Sequence, residues 1–483
     1  MTSPLPLSRR RALTLGGAGL LGLGATAALA GCTSGTPDAA AVTTAPTTSA
    51  TTTSSASSAA STSMSASSST AATTATTTPA PLAPVGMTEL AFTDPEFDGQ
   101  FLRALDTIFD GGADVSECFV TARRIVPGDT DSWYEQWTAT ADRIMAIGDK
   151  SAAAGHDVSA HQAYLRAVTY YRTAGTFMYA PPMDPRFVQS YESQRAAFQK
   201  AAALGRWTTE IVQIPYENTT LEGYFILPDG DGPFRTLVMV DGYDGTKEEM
   251  FFSGGTAALE RGYAVLLVDG PGQGGALIEQ KLYFRPDWEK VVTPQIDWLV
   301  QRPEVDVEKI ALIGRSWGGY LAPRAATAEH RIAALIADAA QYTPGPRGAF
   351  MMPEQYRDEL YTGDPAVLNA ALEAEMAQSS EIRFTLLRGM LTHGFDTPLD
   401  YLRGAVDYTI KGLADRITCP TLICEAENDV RGGDAKPLYE ALTAPKTYVL
   451  FTNAEGAGEH DEAGAASLFG QVVFDWLDET LAG

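Results

Sequence analysis

At 483 residues the chain exceeds what one core fills, because single hydrophobic cores stop growing near roughly 250–300 residues. With 45% hydrophobic and 20% charged residues it has a globular composition, and its formal net charge is −25. A body so acidic repels phosphate backbones and anionic headgroups, which argues against nucleic-acid binding and against electrostatic docking to a membrane.

The first residues read as an address rather than as part of a fold. Ser8-Arg9-Arg10-Arg11-Ala12-Leu13 has the pattern of a twin-arginine export signal, and a weakly apolar, Gly-interrupted stretch runs from Ala12 to Ala30. Leu29-Ala30-Gly31-Cys32 then resembles a bacterial lipobox, so residues 1–31 are expected to be removed and Cys32 to be lipidated. Their loss takes away three arginines and no acid, which moves the net charge from −25 to −28. Residues 32–86 are almost entirely Ser, Thr, Ala and Pro, too poor in apolar surface to offset their ordering entropy. They are expected to be a disordered tether, holding an exported, surface-anchored protein away from the bilayer through Cys32 alone.

From 87 to 205 apolar residues recur at helical spacing: Phe97, Phe101, Leu105 and Ile108, then Trp133, Trp137 and Ile144, then Tyr164, Val168 and Tyr171. The pattern predicts a helical domain with little strand, and Asp131 or Ser132 is the expected N-cap before Trp133. From 206 the register changes. Thr208–Pro215 and Leu221–Leu227 predict a hairpin around Glu217-Asn218. Short apolar runs follow at Leu237–Val240, Ala264–Val268, Ile310–Ile313, Ala333–Ile336, Thr421–Ile423 and Tyr448–Phe451, alternating with helical stretches. Such runs are buried on both faces, which predicts an α/β fold with a mostly parallel sheet over 206–483. Residues 341–412 have helical spacing and no good strand, so they are expected to insert as a cap.

Gly314-Arg315-Ser316-Trp317-Gly318 fits G-x-S-x-G between a strand and a helix, where a strained turn exposes the Ser316 hydroxyl. A serine needs a base, and the usual order in this fold is Ser, acid, His. Of five histidines only His393 and His460 lie well beyond Ser316. His460 is favoured because it follows the last strand-like run, whereas His393 falls in the expected cap. Asp429 is the favoured acid, after the Thr421 run, with Glu427 and Asp338 as alternatives. The expected oxyanion donors are the N–H groups of Trp317 and of Tyr243, in Asp241-Gly242-Tyr243-Asp244-Gly245. Gly270-Pro271-Gly272-Gln273-Gly274 lacks the spacing of a dinucleotide fingerprint and reads as a loop. Tyr283, Phe284, Trp288 and Trp317 are candidates for an aromatic pocket. Neither a cofactor nor a metal is expected, since no C-x-x-C or His/Cys cluster occurs. Of Cys118, Cys419 and Cys424, at least one must remain unpaired.

At these residues the chain resembles the 2,6-dihydroxypseudooxynicotine hydrolases and the fungal hydrolases that shorten polyketide chains, and more distantly esterases and acylaminoacyl peptidases. The resemblance rests on Gly314–Tyr320 running on through Ala322-Pro323-Arg324-Ala325-Ala326, on Gly242–Glu249 and on Asp269–Gly274. It extends to Asp131-Ser132-Trp133, Trp137, Tyr164–Ala167 and Tyr170-Tyr171, and covers about residues 90–480. It implies an α/β-hydrolase with Ser316, Asp429 and His460 as its triad and the N-terminal helices as a cap. It also implies a small-molecule substrate, cleaved at an ester or at a C–C bond next to a ketone through an acyl-enzyme. An exopeptidase-like amidase and a catalytically silent binding module stay open at this point, as does the oligomeric state, a homodimer included.

Overall fold

The apolar runs pair into one sheet in the computed structural model, which describes residues 89–429 and 434–482. The expected export signal, lipidated Cys32 and 32–86 tether therefore lie outside the described residues. Among the described residues no helix is long and apolar enough to cross a membrane.

The strands are β1 (Thr208–Tyr216), β2 (Thr219–Leu227), β3 (Phe234–Val240), β4 (Ala264–Val268), β5 (Val305–Gly314), β6 (Ala334–Ala337), β7 (Thr421–Ala426) and β8 (Lys446–Phe451). Their order is β1-β2-β4-β3-β5-β6-β7-β8. The β1–β2 and β2–β4 pairs are antiparallel and the others parallel, giving the mostly parallel sheet of an α/β-hydrolase. Because successive side chains point to opposite faces, each central strand feeds two cores. Leu237, Met239, Val265, Leu267, Ala311 and Ile313 face one layer; Val238, Val240, Leu266, Val268, Ile310 and Leu312 face the other. That is why these strands are apolar throughout rather than alternating.

The first layer includes the N-terminal helices α1 (Pro95–Asp106), α2 (Val115–Ala122), α3 (Thr130–Ala153), α4 (Asp157–Gly175) and α5 (Pro185–Leu204). Trp133 and Trp137 are fully buried, and the Trp133 indole N–H donates to the Thr173 carbonyl at 2.7 Å, tying α3 to α4. The N-cap of α3 is Asp129, not Asp131 or Ser132. Asp129 is the extended residue whose carboxylate accepts the Asp131 and Ser132 N–H groups, and those two already belong to the first helical turn. Ser132 uses its hydroxyl to accept the Val126 N–H instead.

Between β6 and β7 the chain inserts helices Pro365–Gln378, Ser380–His393 and Pro398–Gly404, with no strand. All described residues belong to one compact unit. Cys118, Cys419 and Cys424 are buried free thiols.

Candidate active site

The turn from β5 into helix Gly318–Ala326 forces Ser316 to φ +55°, a left-handed conformation unusual for a residue with a side chain. Close backbone approach makes it possible. A Cβ on Gly314 would run into the Gly318 carbonyl, and one on Gly242 would stand 2.8 Å from the Ser316 Cβ. The loop after β3 thus passes directly against Ser316.

Ser316 Oγ lies 2.8 Å from His460 Nε2, and His460 Nδ1 lies 2.8 Å from Asp429 Oδ1. His460 leaves the loop after β8 and Asp429 the end of β7, so three strand ends bring the three groups into line. The Asp429 side chain is only 1% exposed and that of His460 22%, so the line runs from the interior outward. The other candidates are engaged elsewhere. Glu427 accepts the Asn453 N–H at 2.7 Å, and Asp338 pairs with Arg315 at 2.7 Å. The His393 Nε2 lies 2.7 Å from the Tyr243 hydroxyl, and burial pushes its imidazole down to about 3, so it stays neutral.

Among the described residues the Tyr243 and Trp317 N–H groups donate no hydrogen bond to the protein, whereas the Ser316 N–H donates to Asp461 Oδ1 at 3.0 Å. Two unspent donors therefore flank Ser316. The glycine-rich loop after β4 supports one of them. Gln273 Nε2 donates to the carbonyls of Asp241 (2.7 Å) and Gly242 (3.0 Å), and its own Oε1 accepts the Gly270 N–H. Below this, fully buried Lys247 donates its Nζ to Asp269 at 2.8 Å, and Asp269 also accepts the backbone N–H groups of Lys247 and Gly275. The sequence motifs Gly242–Glu249 and Asp269–Gly274 are one welded unit.

Asp244, next to Tyr243, carries the cap. Its buried carboxylate stands 3.2 Å from Arg103 on α1, 3.4 Å from Arg172 on α4 and 3.3 Å from Arg388 on helix Ser380–His393. Burial pushes the carboxyl up, but Arg103, Arg388 and Arg172 together hold it well below the usual range. Glu249 shares Arg103 and Arg172 at 2.7 and 3.1 Å. On the other side of Tyr243 the aromatic candidates pack on one another instead of standing apart as a pocket wall. Phe284, Trp288 and Trp317 are buried, the Tyr243 ring lies tilted 4.5 Å from Trp317 and edge-on 5.3 Å from Phe284 by ring centroid, and Tyr283 is 44% exposed.

Behind the line of three, Arg315 is buried between Asp338 and the His460 loop. Its guanidinium donates to the Asp461 carbonyl at 2.6 Å and lies 3.8 Å over the Phe469 ring. Burial raises Asp338 to about 6 and Glu462 well above the usual carboxylate range. Among the described residues no group of three or more His, Cys, Asp or Glu side chains could hold a metal ion. Arg315, Asp461, Gln273 and the arginines on Asp244 were not foreseen in the sequence. Only Arg315 and Asp461 carry a local signal, as the immediate neighbours of Ser316 and His460.

Residues 125–399 match the family described as esterase FrsA-like. The hydrolase LUC6 of a Fusarium species is 33% identical over 413 residues, covering 80% of this chain and 97% of the relative. The 20-hydroxy-prefusarin hydrolase FUS2 of Gibberella moniliformis is 34% identical over 415 residues, covering 81% and 98%. The solved structure of a 2,6-dihydroxy-pseudo-oxynicotine hydrolase matches with a TM-score of 0.62 at 24% identity, over 78% of this chain and 96% of that one, a likeness of fold.

Proposed function

The chain belongs to the FrsA-like esterase family and is an α/β-hydrolase, and on that premise we propose that it is a serine hydrolase in which Ser316, His460 and Asp429 form the catalytic triad. The observation that carries the reading is the unbroken line of two 2.8 Å contacts from Ser316 Oγ through the imidazole to Asp429. His460 Nε2 takes the Ser316 proton as Oγ attacks the substrate carbonyl, and Asp429 holds the imidazole in the tautomer this needs and stabilises the imidazolium. The oxyanion that forms accepts the N–H groups of Trp317 and Tyr243. The tetrahedral intermediate collapses as His460 returns the proton to the leaving group, and water then releases the acyl group by the same steps.

The bond cleaved is an ester or a C–C bond next to a ketone. In the second case the leaving carbon departs as an enolate and takes the imidazolium proton. The likeness to FUS2, a 20-hydroxy-prefusarin hydrolase, favours a small organic substrate over a peptide. The N-terminal pattern makes the enzyme an exported one, anchored at the cell surface through a lipidated Cys32.

Fluorophosphonate labelling of the full chain, with peptide mapping and a Ser316→Ala control, tests the reading. Labelling confined to Ser316 is expected. A folded protein that takes up no label, or that labels equally well after Ser316→Ala, would overturn it.

A further inference from the structure

One carboxylate near the imidazole has no part in the triad as drawn. Asp461 directly follows His460, and both Asp461 and Glu462 adopt left-handed backbone, at φ +55° and +50°. Left-handed backbone is uncommon for residues with a side chain other than Asn and Asp, and two such residues in succession need support from their surroundings. Here Arg315 supplies it, donating to the Asp461 carbonyl at 2.6 Å while Asp338 holds the same guanidinium at 2.7 Å. The turn that results points Asp461 back at the elbow. Its Oδ1 accepts the Ser316 N–H at 3.0 Å and the Ala339 N–H at 3.4 Å, and stands 3.7 Å from His460 Nε2.

We propose that Asp461 is a positioning residue on the Nε2 side of His460, which fixes the elbow through the Ser316 N–H and steadies the imidazolium formed when Ser316 gives up its proton. The inference rests on the triad reading for its catalytic meaning, but its geometry does not. Asp429 meets the ring at Nδ1 and Asp461 at Nε2, so the imidazole is flanked by two carboxylates. No proton passes to Asp461. The Ser316 proton moves to Nε2 as the Oγ–carbon bond forms, and it leaves Nε2 for the departing group.

Other charged groups lie around His460. Arg315 from the elbow is paired with Asp338 from the loop after β6, and Glu462 lies 3.6 Å from the same guanidinium. Glu459 from the same loop lies within 3.4 Å of the Asn428 amide. Among the described residues, the carboxylate that stands beside Nε2 is that of Asp461, at 3.7 Å. An opposite charge at this distance raises the pKa of an imidazole by about one unit or more in a partly exposed site.

The test is an NMR titration of ¹³C-labelled histidine in the full chain, with His460→Gln to assign the signal. Wild type is compared with Asp461→Asn, which keeps the acceptor for Ser316 and suits left-handed backbone, and with Asp461→Ala. His460 is expected to titrate about one unit lower in both variants than in wild type. The acid limb of kcat/KM should move down by the same amount in Asp461→Asn. Asp461→Ala, which also frees the Ser316 N–H, should lose at least about tenfold more of its fluorophosphonate labelling rate than Asp461→Asn at a pH where His460 is neutral. Equal titration midpoints in all three proteins would overturn the proposal. A shifted midpoint in a protein that never labels at Ser316 would keep this placement of charge and sink the catalytic reading instead.

Discussion

Replacing Asp244 by Asn removes the one charge on which three cap arginines converge. Arg388 loses its carboxylate partner there, and Arg103 and Arg172 are left sharing Glu249. Breaking a buried ion pair by deleting one partner costs about 3–5 kcal/mol, because the surviving charge stays buried. An ordered chain of roughly 390 residues, at ~2.1 cal/mol/K per residue, unfolds with ~0.8 kcal/mol/K. The expected fall in Tm is therefore about 4–6 °C, measured by calorimetry at pH 7. The sign of the pH dependence is fixed as well. The three arginines depress the folded pKa of Asp244, so its contribution is complete above the unfolded value of ~3.9 and is lost only as pH falls towards the depressed one. The Tm gap between wild type and Asp244→Asn should hold constant from pH 8 to 5 and close below about pH 4. A gap already closing between pH 7 and 5 would show that another group carries the effect and not Asp244.

Other consequences are equally direct. Ser316→Ala and His460→Ala should each abolish ester turnover with little change in Tm, and the double variant should be no worse than either, because triad members act as a unit. Gln273→Ala removes two hydrogen bonds from the loop presenting the Tyr243 N–H, so steady-state kinetics should show a lower kcat with KM nearly unchanged. Burial raises Asp110 to about 7, so the folded protein binds a proton there that the unfolded chain releases above pH ~4. Its contribution falls as pH rises from 4 to 7, and Asp110→Asn should flatten the Tm profile across that window; an unchanged profile would count against it.

How far the sequence could be read depended on whether the controlling contacts are local. β4 falls where its five-residue apolar run predicts, because a strand buried on both faces needs uninterrupted apolar residues, and the hairpin turns at Glu217-Asn218. The strained turn at Ser316 was legible for a similar reason, since such an elbow demands small neighbours within two residues. The α3 cap fell at Asp129 instead because both Asp129 and Asp131 can accept first-turn N–H groups, and only backbone conformation separates them. The polar interior was the least visible part. Asp244 meets Arg103, Arg172 and Arg388 across more than seventy residues in every case, and no periodicity records such a meeting. Arg315 and Asp461 stood beside named residues, yet their roles depend on two left-handed residues that sequence alone does not announce.

The most direct test of the central claim is to quench turnover of a p-nitrophenyl ester with acid and map the acyl group by mass spectrometry. About one acyl equivalent is expected, on Ser316, and none after Ser316→Ala. An acyl group on another residue, or steady turnover by Ser316→Ala, would contradict that claim.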